Sequence, residues 1–175
     1  MAKGIAAIDP ASPRWYAVRT RFKWEKKVAT AFEEQRIEHY LPLYEQFKKY
    51  EKVVKRTMLP LIPHYIFVRI VQTEYITVLQ QNGVQGFLHN HGHLHFIPDE
   101  EIAALRYFAV DVENVEVIEG FWESGTPVMI MEGPLAGHAA KVVEELGKHK
   151  IVVTLEGLKY SFKMVVDKNT LYKEK

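Results

Sequence analysis

The chain has 175 residues, 47% of them hydrophobic and 26% charged, which excludes wholesale disorder and suits one globular domain or two small ones. It contains no cysteine, so disulfide frameworks, thiol nucleophiles and cysteine-ligated zinc are excluded, and a reducing compartment fits. No apolar run reaches the about 18–20 residues that a bilayer span needs, and the opening stretch from Met1 to Tyr16 lacks the apolar core of a secretory signal. A cytoplasmic protein without a membrane partner is expected.

The formal net charge is +1, but it is a cancellation between segments. Residues 1–110 carry 15 Lys and Arg against 11 Asp and Glu; residues 111–123 carry five acids and no base; residues 124–175 carry eight bases against six acids. Positive charge is densest in residues 14–69, with 13 bases against six acids, which suits a polyanion or an acidic partner surface as well as an ordinary solvated face.

Residues 1–13, with Asp9-Pro10 and Ser12-Pro13 and no periodicity, are expected as a loose tail. Trp15 to Arg19 reads as a strand, and Trp24, Val28 and Phe32 at four-residue spacing predict a helix packed on it. A second strand is expected around Ile37 to Pro42. The basic, aromatic segment Phe47 to Arg56 reads as a projecting hairpin or loop. Pro60 and Pro63 stop any helix, and the nearly continuous apolar run Tyr65 to Val71 predicts a central strand. Thr73 is the expected N-cap of a helix burying Tyr75, Val78 and Leu79 and ending by Gly83. Strands at Val84 to Leu88 and Leu94 to Ile97 flank a turn at Asn90 to Gly92, and Asp99 is expected to cap a helix carrying Ile102, Leu105 and Phe108.

Residues 109–123 form an acidic linker of extended or partly ordered character. Beyond it, strand-like segments Val128 to Met131, Lys141 to Glu145, Ile151 to Leu155 and Tyr160 to Val166, separated by glycine-bearing turns, predict a small β-barrel. The expected class is α+β: a mixed domain over 14–108 and a barrel over 124–175.

Motifs of enzymes are missing: there is no glycine-rich phosphate loop, GxSxG or HExxH. The expectation is a protein without catalytic residues, metal or cofactor. His89, His91, His93 and His95 could line one face of a continuous strand and hold a transition metal, but Gly92 favours a turn that splits them. Arg19, Arg21, Phe22, Lys23, Trp24, Lys26 and Lys27 combine phosphate-binding cations with rings able to stack on unpaired bases. The helical spacing of Trp24 also fits a core residue, and Lys26 and Lys27 also fit a solvated helix face. The turn Met131 to Gly137 places two glycines around Pro134, as a backbone reversal at positive φ requires.

Three segments of the first region, RWYAVRT at 14–20, PLIPHYIFVRI at 60–70 and GVQGFL at 83–88, resemble the N-terminal (NGN) domain of the NusG family of transcription elongation factors. GTPVMIMEGPLAGHAAKVV at 125–143 resembles that family's KOW domain, and RTRFKWEKKV at 19–28 is most similar to specialised antiterminators of the RfaH and UpxY types. The resemblance implies an RNP-like antiparallel sheet with packed helices followed by an SH3-like barrel. It also implies a non-enzymatic, monomeric factor that docks on the β′ clamp helices of RNA polymerase and reaches towards its β subunit, suppressing pausing or termination. The positions matching the polymerase-binding hollow are Tyr16, Ile62, Tyr65, Phe67 and Leu105. Those matching a face that reads the non-template DNA strand are Arg21, Lys23, Trp24 and Lys27, with Gln81 and Asn82 nearby. The KOW turn at Gly133, Pro134, Gly137 and His138 is implied to meet a ribosomal protein or Rho. Ala140 replaces the usual KOW glycine, and His138 stands where housekeeping members often carry an exposed aromatic, which weakens that last implication. The β-branched run Ile151 to Thr154 favours a barrel over a helical form of this domain.

Overall fold

The computed structural model describes residues 8–50, 53–90, 93–110, 115–120, 123–145, 148–156, 158–165 and 171–173. The chain forms two compact units, Met1–Asp99 and Glu100–Lys175.

In the first unit, β1 (Arg14–Thr20) is the centre of an antiparallel sheet. It pairs with β5 (Tyr65–Ile70) on one side and with β6 (Val84–Phe87) and β9 (Phe96–Ile97) on the other, while β2 (His39–Tyr40) extends the sheet beyond β5. The pleat separates two faces. Tyr16 and Val18 face one way with Ile66, Val68 and Ile70, and this face packs on Val28 and Phe32 of helix α1 (Glu25–Glu34), on Ile37, and on Tyr75 and Val78 of the short helix α2 (Tyr75–Leu79). Val28 and Phe32 of the expected stripe are thus core, while Trp24, which precedes the helix, is only partly buried against it. Helix α1 ends in a Schellman pattern, with Ile37 N–H donating to Phe32 O at 2.9 Å and Arg36 N–H to Glu33 O at 3.0 Å. Arg36 holds the left-handed position, φ 57°, that glycine usually takes.

Two expectations change here. Residues 8–13 are not a loose tail: Ile8 is buried in the core, Asp9 O accepts Gln72 N–H at 3.1 Å, and the Asp9 carboxylate accepts Ala11 and Ser12 N–H at 2.9 and 2.8 Å. One apolar residue anchored by an Asx turn suffices to fix a segment whose composition looks uncommitted. Residues 1–7 lie outside the described residues. Thr73 does not cap a helix. It sits within a 3-10 turn, Gln72–Glu74, entered from Val71, whose N–H donates to the Glu74 carboxylate at 3.0 Å. The Glu74 carboxylate closes the 3-10 turn onto its entry residue, and helix α2 begins without a side-chain cap.

The basic segment is a hairpin, β3 (Leu43–Tyr50) with β4 (Val53–Pro60), forming a two-stranded sheet of its own. The expected second strand shrinks to His39–Tyr40. Around the histidines, β7 (His89–Asn90) pairs with β8 (His93–Leu94), in the register His89↔Leu94 and Asn90↔His93. That register places His89 and His93 on opposite faces. Among the described residues no group of three or more metal-ligating side chains assembles; His91 lies outside them.

The second unit holds helix α3 (Asp99–Val110, from Glu100 onward) and the strands β10 (Val115–Glu119), β11 (Thr126–Ile130), β12 (Ala139–Glu145), β13 (Lys148–Leu155), β14 (Tyr160–Val165) and β15 (Leu171–Lys173). They form one antiparallel sheet in the order β10-β14-β13-β12-β11-β15. Its register puts Val128, Ile130, Ala140, Ile151, Val153, Leu155, Phe162 and Met164 on one face, all buried. Phe108 of α3 stacks on Phe162 with centroids 4.4 Å apart, and both rings are fully buried. The expected domain boundary at 108/109 followed the change in charge; the compact units divide before α3, because Phe108 packs where charge gives no signal. Part of the expected acidic linker is strand β10. In the turn 131–138, Gly133 and Gly137 take φ of 83° and 84°, Gly137 N–H donates to Ile130 O at 2.8 Å, and Leu135 is buried beneath the reversal. Among the described residues no helix is long and apolar enough to cross a membrane.

Candidate nucleic-acid interface

The end of β1 and the start of α1 build a compact basic corner. Thr20 N–H donates to His64 O and Arg21 N–H to Gly83 O, both at 2.8 Å, so the chain leaving the sheet is tied to two loops before it turns. Lys23 takes φ 59°, Trp24 N–H closes the turn on Arg21 O at 3.0 Å, and Val28 N–H donates to Trp24 O at 2.9 Å as the helix begins. The Trp24 ring is thereby laid against Gly83. A Cβ on Gly83 would stand 2.6 Å from Trp24 Cε3, and Gly83 has φ 95°, so both space and backbone require glycine there.

Two cations lie over the Trp24 ring, the Arg21 guanidinium 5.6 Å and the Lys27 ammonium 4.7 Å from its centroid. Lys23 instead lies 4.9 Å from the Phe22 ring, which leans on His64 at 5.7 Å and is 68% exposed. Gln81 Nε2 donates to Thr77 O at 3.2 Å, which anchors its amide to α2, while Asn82 beside it is exposed. Residues 19–28 contain five basic side chains and one acid, Glu25. That acid is buried and turned inward, accepting His64 N–H at 2.8 Å. The outward charge of the segment is therefore cationic throughout, with an aromatic platform at its centre.

Arg21, Trp24, Lys27 and the loop carrying Gln81 and Asn82 come together in this unit, with Gly83 of that loop against the Trp24 ring. Three contributors carried no sequence signal of their own. Sequence alone singles out neither Glu25 nor His64 for this site and reads Gly83 only as the end of a helix; their service to the corner depends on contacts between distant segments.

The residues matching a polymerase-binding hollow are arranged differently. The register Ala17↔Phe67 and Arg19↔Tyr65 places Tyr65 and Phe67 on the sheet face opposite to Tyr16. Tyr16 belongs to the core, its ring edge-on to Phe87 at 6.1 Å, and burial pushes its phenol above the ordinary value. Ile62 and Phe67 are fully buried, Tyr65 is half-buried, and Leu105 is buried on α3 in the second unit. Among the KOW-turn residues, Gly133, Pro134 and Gly137 are exposed, and His138 Nδ1 lies 3.1 Å from Leu135 O.

An α+β chain of two units with antiparallel sheets and a basic, aromatic corner is the class that these observations define. Residues 13–106 match the family described as transcription termination factor NusG. The fold is similar to that of NusG from Thermotoga maritima, in a structure described as showing domain interaction, with a TM-score of 0.56 and 22% identity over 93% of this chain and 98% of that one. Comparison with curated protein sequences finds no match. The chain belongs to the NusG family of transcription factors, whose members generally bind RNA polymerase.

Proposed function

We propose that this protein is a specialised antitermination factor that binds elongating RNA polymerase and contacts the exposed non-template DNA strand, acting on selected operons. In this reading an NGN domain over 14–108 docks on the β′ clamp helices and reaches towards the β subunit, and a KOW domain over 124–175 recruits a further protein such as a ribosomal protein or Rho. The observation that carries the DNA contact is the cation-flanked Trp24 ring backed by Gly83, with the adjacent Glu25 turned inward. Unpaired bases stack on such a ring while the cations meet phosphate, an arrangement suited to single strands. For polymerase docking Tyr65 is half-buried where Phe67 on the same face is fully buried, and Tyr16, on the core side, acts by holding the sheet.

Reconstituted elongation complexes test both parts. Arg21→Ala with Lys27→Ala should weaken crosslinking to the non-template strand and leave polymerase capture intact, whereas Tyr65→Ala should weaken capture itself. Unchanged crosslinking in the double variant would remove the DNA role, and failure of the wild type to capture polymerase would remove the docking. Occupancy on a few long operons separates a specialised factor from a general one, which should sit nearly everywhere.

A further inference from the structure

The hairpin of β3 and β4 is a two-stranded sheet of its own, and residues 43–60 that form it carry five basic side chains against two acids. Its eight-residue strands make a ribbon about 27 Å long. The register puts Phe47 opposite Arg56 and, on the next rung, Lys48 opposite Lys55. Consecutive rungs point to opposite faces, so one face carries Arg56 and the other carries both lysines. All three cations are exposed. Like charges directly opposite each other destabilise a hairpin, so the fold gains nothing from the lysine rung, whereas an anion beside it turns repulsion into attraction. The Arg56 guanidinium lies 5.4 Å from the centroid of the Phe47 ring, which is 51% exposed, and this repeats the cation-on-ring chemistry of the Trp24 corner. Val54 and Met58, both exposed, share that face. So does Glu45, whose carboxylate is 3.8 Å from Arg56 in an exposed pair that offsets little of the charge.

We propose that this ribbon is a second nucleic-acid site, built to enter the major groove of double-stranded DNA. That groove is about 12 Å wide and admits a two-stranded ribbon, and a phosphate strand runs along each of its walls. Cations on both faces therefore find partners at once: Lys48 and Lys55 meet one strand and Arg56 the other, while Phe47, Val54 and Met58 pack on sugars and thymine methyl groups. A single strand lying along one face leaves the cations of the other unmet. A protein partner calls for an apolar centre with charge at the rim, whereas the cationic rungs here are consecutive and divide between the two faces. The site goes beyond the single-strand contact of the Trp24 corner, and either can exist without the other.

The probe is a fluorescein-labelled DNA duplex of about 20 base pairs, two turns of the helix, titrated by anisotropy against the full chain beside the single strand of the same length. Lys48→Ala with Lys55→Ala and Arg56→Ala should weaken duplex binding about tenfold or more and lower the slope of log affinity against log salt by about 3, if each cation meets one phosphate. Single-strand binding by this variant should stay within about twofold of the wild type, because the Trp24 corner is untouched. Arg21→Ala with Lys27→Ala should likewise leave duplex binding within about twofold. Lys48→Gln with Lys55→Gln relieves the like-charged rung, so its denaturant midpoint should equal or exceed that of the wild type while duplex binding falls. No duplex binding by the wild type, equal losses for duplex and single strand, an equal loss in the corner variant, or a lowered midpoint would overturn the proposal. Unchanged duplex binding with weakened polymerase capture would also overturn it, by showing that the ribbon docks on protein.

Discussion

The Trp24 corner of the first unit and the β14 edge of the second both hold cations, and they hold them in opposite ways. Arg21 and Lys27 are exposed and rest on an aromatic face, and Glu25 between them is buried and turned inward. Lys163 is buried and bonded to a carboxylate from the neighbouring strand. An exposed cation keeps its field available to a large anion and is screened by salt. A buried one gives little net stability but penalises every register that leaves it unpaired. The first arrangement therefore suits a nucleic acid, and the second suits recognition of one particular strand.

The comparison breaks most easily at Gly83. Gly83→Val must push Trp24 from its place and also adopt a positive φ, so a loss of about 3 kcal/mol is expected from overpacking and strain together, measured by urea denaturation. The corner's nucleic-acid contact should fall with it. Removing both cations leaves the fold intact and acts on binding alone: Arg21→Ala with Lys27→Ala should reduce the slope of log affinity against log salt by about 2 if each meets one phosphate. An unchanged slope would make the corner ordinary surface. On the other side of the comparison, Glu116→Ala leaves Lys163 without that carboxylate. The partial exposure of Glu116 lowers the cost from that of a fully buried pair to about 1–2 kcal/mol, again read from denaturant midpoints.

Smaller effects test the scaffold around the corner. Arg36→Gly should stabilise the first unit by about 1 kcal/mol, since the left-handed position at the end of α1 penalises any side chain; a loss of stability would mean that the arginine side chain holds a contact worth more than the strain. Asp9 gives the smallest effect. Its carboxyl lies below the ordinary range because Ser12 and Ala11 N–H groups bond it, with Arg14 adding attraction. A depressed folded value means the stabilisation is fully present above the unfolded pKa, about 3.9, and is lost as pH falls through the lower folded value. Asp9→Asn should flatten the acid side of the stability profile by lowering stability slightly at neutral pH while leaving the most acidic end nearly unchanged.

Local chemistry made much of this readable. The spacing of Val28 and Phe32 marked a helix and its buried face, the run Tyr65 to Val71 marked a central strand, and Gly133 and Gly137 marked a reversal whose positive φ angles the structure displays. The basic and aromatic residues of 19–28 pointed to the corner before any contact was known. Other features escaped because they depend on a distant partner. Ile8 is one apolar residue in a loop-like stretch until the core receives it. Val115 to Glu119 mixes acids and aliphatics over so few residues that only pairing with β14 makes it a strand.

The sequence by itself determined the class of this protein: periodicity, turn residues and charge blocks are local properties, and they suffice for an α+β chain with a basic first part and a strand-rich last part. Tertiary structure alone decided which residues share a face. Tyr16 and Phe67 look equivalent as aromatic strand residues, yet the pleat and the β1–β5 register send them to opposite sides of one sheet. Glu25 and Glu116 look like two surface acids, yet one is buried against a backbone amide and the other neutralises a buried lysine. Side-chain chemistry is written residue by residue, but burial and partnership arise only when segments far apart in the chain are brought within a few ångströms.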